Sequence, residues 1–326
     1  MWFAVIIGLI VYLVVKLFFY EDDTLIDLAS SHSSALFTVA KRLEKLYNGS
    51  KVYIGLQIPD ADSASRQNID LVLVTKEGAM LISVKNISGF VSTDKDGNWV
   101  CTDGKHHKTD LVENPVPETK RLVSVLEEYL EQREVALPEG YLSPKVICPN
   151  PKFSSIDSES FPPEVITYDQ WKQLKPGHKS LYSGWIKGVL RGGKDKTQES
   201  VYEKLISVLN TAPISDRLEL KGNKYVLGEF IEFKGKEEDL HALKKIRRSK
   251  ISQLSVQKIS MFGLAHSTVQ VLYAPRDYRV EGSSKASSHW EEVTVRSSTE
   301  LLFQPRNSTK PHKYKLSSVI SMSLSA

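Results

Sequence analysis

The apolar positions of this chain fall into distinct patterns, and each predicts a different element. Residues 2–20 form an almost unbroken apolar run, WFAVIIGLIVYLVVKLFFY, whose single charge is Lys16. As a helix at about 1.5 Å per residue it would reach roughly 28 Å, the depth of one hydrocarbon core. Trp2, Phe18, Phe19 and Tyr20 suit the boundaries of such a core. A cleaved signal peptide fits less well, because no charged segment precedes the run and Ala29-Ser30-Ser31 is a poor processing site. The pattern therefore predicts a single-pass transmembrane anchor over 2–20. Lys41, Arg42 and Lys45 follow it closely and tilt the body toward the cytosolic side, with the identity of the membrane open. Three N-x-S/T triplets, at Asn48, Asn86 and Asn307, would accept glycans only in a secretory lumen.

Periodic patterns begin after this run. Between Thr24 and Leu46, apolar residues at Leu36, Val39, Ala40, Leu43 and Leu46 have the spacing of one helix face. Residues 51–58 are β-branched and aromatic, and the run from Asn68 to Thr75 is the dense Ile/Leu/Val pattern of a strand covered on both faces. Glu77-Gly78 turns the chain into a further strand, Ala79 to Val84, and Trp99 closes a meander after a polar turn at 94–98. A helix is predicted from about Pro117 to Val135, with a stripe of Leu122, Leu126, Tyr129 and Leu130, and then a strand from Tyr141 to Cys148. The order helix, strands, helix, strand predicts a mixed α/β layer domain over 24–170.

The remaining chain changes character. A connector over 171–216 holds a basic loop, Lys187 to Lys196, and a short helix from Glu199 to Leu209. From Arg217 the pattern turns β-rich, with a hairpin about Gly222-Asn223 and short strands at 269–273, 291–296, 300–303 and 314–322. A small barrel or sandwich over 217–326 is expected. One helix interrupts it: Leu240, Leu243 and Ile246 keep an apolar face, while Lys244, Lys245, Arg247, Arg248 and Lys250 crowd the remainder. Such a cluster can contact phosphates of nucleic acid or of an anionic surface, or serve as a solvated face.

Composition narrows the picture only a little. With 326 residues, 41% hydrophobic and 25% charged, the chain is long enough for two domains and is not a disordered polymer. A net charge of +4 is too small to mark a nucleic-acid binder by itself. Two cysteines, Cys101 and Cys148, exclude a disulfide framework and lack metal-site spacing. Cys101 with His106 and His107 could suggest a metal, but a Lys/Gly/Asp-rich turn holding adjacent imidazoles reads more simply as a solvated loop. The chain lacks both a Gly-rich phosphate loop and a G-x-S-x-G element, which excludes nucleotide hydrolysis through those motifs.

The run GLQIPDADSASRQNIDLVLVTKEGAMLISVKNISG, then a Trp, then ENPVPETKRLVSVLEEYL and a hydrophobic strand, resembles the nuclease-related domain, NERD, a branch of the PD-(D/E)XK nuclease superfamily. The resemblance covers about residues 30–150, and with the N-terminal run it is similar to membrane-anchored NERD-domain proteins of plants. It implies a restriction-endonuclease-like mixed sheet with flanking helices, to which the N-terminal transmembrane helix and the C-terminal β-rich domain are added. It also implies a site. Asp70 matches the metal-binding Asp of the motif and Lys85 its Lys, which would orient water or steady negative charge at a phosphate.

One carboxylate of that motif is missing, because Ser83 stands two residues before Lys85 where the second acid belongs. Phosphodiester hydrolysis with Mg²⁺ needs carboxylate oxygens to hold the ion, and a neutral hydroxyl adds no charge. The acid could have moved to Glu118, where the family shows a Gln facing the site; Glu113 and Glu44 are weaker candidates. Glu118 could equally be a helix N-terminal acid favoured by the macrodipole. Asp70 and Lys85 could be a buried ion pair left over from the scaffold. Two readings follow: a degenerate domain that binds nucleic acid or a protein partner without hydrolysis, or an Mg²⁺-dependent nuclease using Asp70, Lys85 and Glu118.

Overall fold

A computed structural model describes residues 31–102, 109–155, 161–174, 196–258, 268–276, 290–306 and 308–325. They form two compact units, one spanning Ala35–Ile214 and the other holding Ser215–Ala326 with the residues up to Ser34.

The first unit opens with α1 (31–46), which buries Leu36, Val39, Ala40, Leu43 and Leu46. Three antiparallel strands follow: β1 (Lys51–Pro59), β2 (Arg66–Thr75) and β3 (Gly78–Val84). Every residue of β3 is buried, as its continuous apolar sequence requires. The short strands β4 (Gly89–Thr93), β5 (Trp99–Thr102) and β6 (Thr109–Val112) then form a second sheet. Helix α2 (Pro115–Glu131) carries the chain back to β7 (Leu142–Ile147), which pairs with β3 in parallel. The small strands β8 (Phe153–Ser154) and β9 (Val165–Ile166) complete two sheets, ordered β1-β2-β3-β7-β9 and β6-β5-β4-β8.

Helix α2 begins where its sequence dictates. Asn114 Oδ1 accepts the Val116 amide at 3.0 Å, and Pro115 occupies the first turn, where a missing N–H costs nothing. Its buried stripe of Leu122, Val125, Leu126, Tyr129 and Leu130 packs with Val72, Val74, Ala79 and Leu81 of the sheet. Burial of a side chain such as the fully enclosed Leu126 is worth roughly 1.5–3 kcal/mol. After α3 (Tyr168–Gln173), α4 (Lys196–Asn210) adds Leu205 and Leu209 to this same core, so the helix of the expected connector packs within the first unit.

The second unit is one antiparallel sheet of eight strands. Its order is β14-β13-β12-β17-β10-β11-β15-β16, with β10 (Asp216–Leu220), β11 (Lys224–Lys234), β12 (Ile251–Lys258), β13 (Thr268–Pro275), β14 (Glu291–Arg296), β15 (Glu300–Pro305), β16 (His312–Lys315) and β17 (Val319–Ser323). Of the small barrel or sandwich expected, the described residues show one sheet whose end strands β14 and β16 are not paired with each other. Gly222 and Asn223 both take positive φ in the β10–β11 turn. Further along β11, a Cβ at Gly228 would lie 2.0 Å from the Gln304 carbonyl oxygen, so only glycine permits that approach. The helix α5 (Glu237–Leu243) ends before the basic cluster, which follows it in turns instead of covering a helix face.

The expected transmembrane helix requires correction. Residues 2–20 lie outside the described residues, and among the described residues no helix is long and apolar enough to cross a membrane. The described helix α2, for instance, has only 17 residues and interrupts its apolar stripe with Glu118, Lys120, Arg121, Glu128 and Glu131. Among the described residues the fold is mixed α/β with a β-rich second unit, and none of their helices is long and apolar enough to cross a membrane. The single-pass membrane localisation with a cytosolic body rested on that span, and no described helix supports it.

Candidate functional site

The residues expected to carry chemistry converge at one end of β2 and β3. Leu71 pairs with Ile82 in the last step of the β2–β3 ladder, and beyond it the Asp70 carboxylate takes over. Asp70 Oδ2 accepts the Val84 amide at 2.9 Å, closing the strand pair through a side chain. Val72 and Leu81 pair across the strands and both join the core beneath α2; alternation therefore puts Asp70 and Ser83 on that same side.

Ser83 is buried and faces the helix. Its Oγ lies 2.9 Å from Thr119 Oγ1, which is also 2.6 Å from the Pro115 carbonyl oxygen. The carbonyl can only accept, so the Thr119 proton goes to Pro115 and the Ser83 hydroxyl supplies the proton between the two side chains. The position at which a second acid was expected is thus filled by a neutral pair of hydroxyls.

Lys85 follows directly after β3, where its amide donates to Ile147 O at 2.9 Å. Among the described residues its ammonium makes no ion pair, so the buried Asp70–Lys85 pair that the strands could have formed is absent. Its positive charge still reaches Cys148. Burial pushes that thiol up to about 12, Cys101 adds to the rise, and Lys85 opposes it. Cys101 is buried beside Trp99 and Cys148 as a core residue, and burial raises its thiol as well. Neither thiol is placed to act as a nucleophile.

Glu118 sits one residue from Thr119 and points elsewhere. Its two carboxylate oxygens accept from Arg121 Nε and Nη2, both at 2.9 Å, and the side chain is exposed. Arg121 also donates to Gln67 Oε1 at 2.8 Å and reaches Asp60 Oδ2 at 3.4 Å. The Asp60 carboxyl is held below the usual carboxylate range, first by the Ser63 hydroxyl and then by the Asp62 amide and Gln67. Thr119, Arg121, Asp60 and Gln67 were not singled out from sequence, although the i,i+3 spacing of Glu118 and Arg121 is a signal for that pair. Glu113 and Glu44 are exposed, and His106 and His107 lie outside the described residues.

These donors do not suit a divalent ion. Among the described residues no group of three or more His, Cys, Asp or Glu side chains could hold a metal. Asp70 is one hard anionic ligand where such an ion takes several.

Comparison with known families bears on this same region. Residues 32–149 match the family described as NERD, the nuclease-related domain. The matched stretch runs from α1 through β7 and contains Asp70, Ser83, Lys85 and Thr119, so this part of the first unit is similar to the nuclease-related domain. No curated protein matches the chain.

Proposed function

We propose that the first unit is a degenerate nuclease-related domain that binds nucleic acid at the Asp70–Lys85 edge and does not hydrolyse it. The observation that carries this reading is the Ser83–Thr119 hydroxyl pair at the place of the second carboxylate. An ion held by Asp70 alone would be weakly bound and could not be relied on to lower the pKa of an attacking water. Glu118 offers no replacement while Arg121 occupies both of its oxygens. Lys85, by contrast, carries an ammonium without an ion pair among the described residues, and an ammonium is a good partner for a phosphate oxygen. Binding survives in such a site when cleavage is lost.

The test measures binding and cleavage on the same preparations. The full chain is titrated into labelled single- and double-stranded DNA and RNA, with and without Mg²⁺ or Mn²⁺, beside Asp70→Asn, Lys85→Ala and Glu118→Gln. The prediction is binding that weakens about tenfold in Lys85→Ala, as expected for one charge-assisted hydrogen bond, and no cleavage above the Asp70→Asn background. Cleavage lost in both Asp70→Asn and Glu118→Gln would instead establish an Mg²⁺-dependent nuclease with a migrated acid. Absence of any binding to nucleic acid would reject the proposal and leave the protein partner as the other expectation.

A further inference from the structure

The second unit contains a groove that its fold does not require. Along β11 the pairing with β15 shifts register between Phe230 and Glu232, so Ile231 is an extra residue in the strand. The insertion puts Phe230 and Phe233 on one side of the sheet, with ring centroids 5.0 Å apart, although their spacing of three would otherwise place them on opposite sides. It also leaves Ile231 46% exposed. Opposite this bulge, Leu240 is 36% exposed at the end of a short apolar floor completed by Leu243 and Ile246, and the space enclosed is about 480 Å³.

The charge around the groove is not balanced from within. Arg248 already bridges Asp216 and Glu229, and Glu232 is held by Lys234 at 3.5 Å. Lys245 faces Glu291 at 3.8 Å. Lys244 and Arg247 line the groove and make no ion pair among the described residues. An apolar floor with two uncommitted cations at its rim calls for an occupant that is both apolar and anionic.

We propose that this groove docks a short acidic peptide segment of a partner protein. One aliphatic or aromatic side chain of the peptide sits over Phe233 between Ile231 and Leu240, and flanking carboxylates pair with Lys244 and Arg247. The chemistry of the floor selects against nucleic acid. Base stacking needs an open aromatic face, whereas Phe230 is buried and the most exposed apolar groups are aliphatic. A concave site with two free cations is also a poor match for a lipid surface, which is met by larger basic clusters. A bulge that re-aims a side chain at a groove is a recurrent device of binding sites.

The experiment uses the full chain and labelled peptides followed by fluorescence anisotropy. One peptide alternates Asp or Glu with Leu and carries one Trp; a second replaces its apolar residues by Ser, and a third replaces its acids by Gln. The first should bind saturably, and the other two at least about tenfold more weakly. The same loss is expected for the first peptide on a Lys244→Glu, Arg247→Glu double variant and, separately, on Ile231→Ser with Leu240→Ser. Unchanged thermal unfolding would show that these exposed substitutions leave the sheet intact. If thermal unfolding does shift, a charge-reversed peptide carrying Lys must recover binding on the double variant. Equal affinity of the three peptides, failure of that rescue, or a preference of the same residues for anionic phosphatidylserine vesicles or single-stranded RNA would overturn the proposal.

Discussion

Two strand aspartates, one in each unit, do the same job under different conditions. Asp216 is fully buried; its Oδ2 accepts the Phe230 amide at 2.8 Å, its Oδ1 the Ser325 amide at 2.7 Å, and Arg248 donates to it as well. Asp70 also accepts a strand amide, that of Val84, but it is only half-buried and Lys85 does not pair with it. In the second unit the carboxylate is sealed by amides and a cation and is a structural element. In the first unit the carboxylate closes a ladder through the Val84 amide, and the next residue, Lys85, carries an ammonium that makes no ion pair among the described residues. A strand aspartate therefore does not reveal its role by its position; burial separates the two.

The largest predicted effect breaks or secures that contrast. Asp216→Ala should destabilise the chain by about 3–5 kcal/mol, because it leaves two buried amides without an acceptor and Arg248 with only Glu229 of its two carboxylates. Asp70→Ala should cost about 1–3 kcal/mol, the value for one unsatisfied amide. Urea unfolding of both variants, followed by circular dichroism, checks the order. Equal losses would mean that Asp70 is as structural as Asp216, and the case for a ligand at the Lys85 edge would weaken accordingly.

A second substitution sharpens the same contrast. Ser83 and Asp70 lie on one side of adjacent strands, so on the proposed reading a carboxylate at position 83 would give Asp70 a second acid beside it. Ser83→Glu is predicted to raise Mn²⁺ affinity at least about tenfold by calorimetry. The larger buried side chain should destabilise the fold by about 1–3 kcal/mol through overpacking against Thr119. Stability loss without a gain in ion affinity would show that the two positions do not share a cleft.

Much of the first unit was legible in the chain because its signals are local and redundant. The continuous apolar runs of β2 and β3 admit few alternatives to covered strands, and the helix expected from about Pro117 to Val135 is present as α2, which starts two residues earlier at Pro115 and ends at Glu131. The phase of α2 was not legible. Stepping back from Leu122 by four residues gives Glu118 and by three gives Thr119, and both are compatible with a period of 3.6. The burial of Pro115 and Val116 decides for Thr119, and that depends on tertiary packing. In the second unit β12 was missed because Ser and Gln interrupt its Ile, Leu and Val, and its pairing with β13 and β17 involves distant residues. The Ile231 bulge left no local mark either, since it is a relation between β11 and β15.

The smallest predicted effect comes from an exposed ion pair, the counterpoint to Asp216 and Arg248. Lys120 Nζ lies 2.7 Å from Glu164 Oε1, with the lysine side chain 56% exposed. The Lys120 ammonium holds the Glu164 carboxyl below its ordinary range, burial opposes that, and Lys145 adds a weaker attraction. A lowered folded-state pKa means that the unfolded chain binds the proton first. The pair's contribution is therefore complete above the ordinary Glu value of about 4.3 and is lost as pH falls through the depressed value. Lys120→Met should reduce stability by only about 0.2–1 kcal/mol at neutral pH, because the lysine is open to solvent and salt. The difference from the unmodified chain should shrink below about pH 4.3 and in high salt. Urea midpoints measured from pH 7 down to the acid limit provide the check, and a difference that grew toward low pH would reverse the sign assigned to this pair.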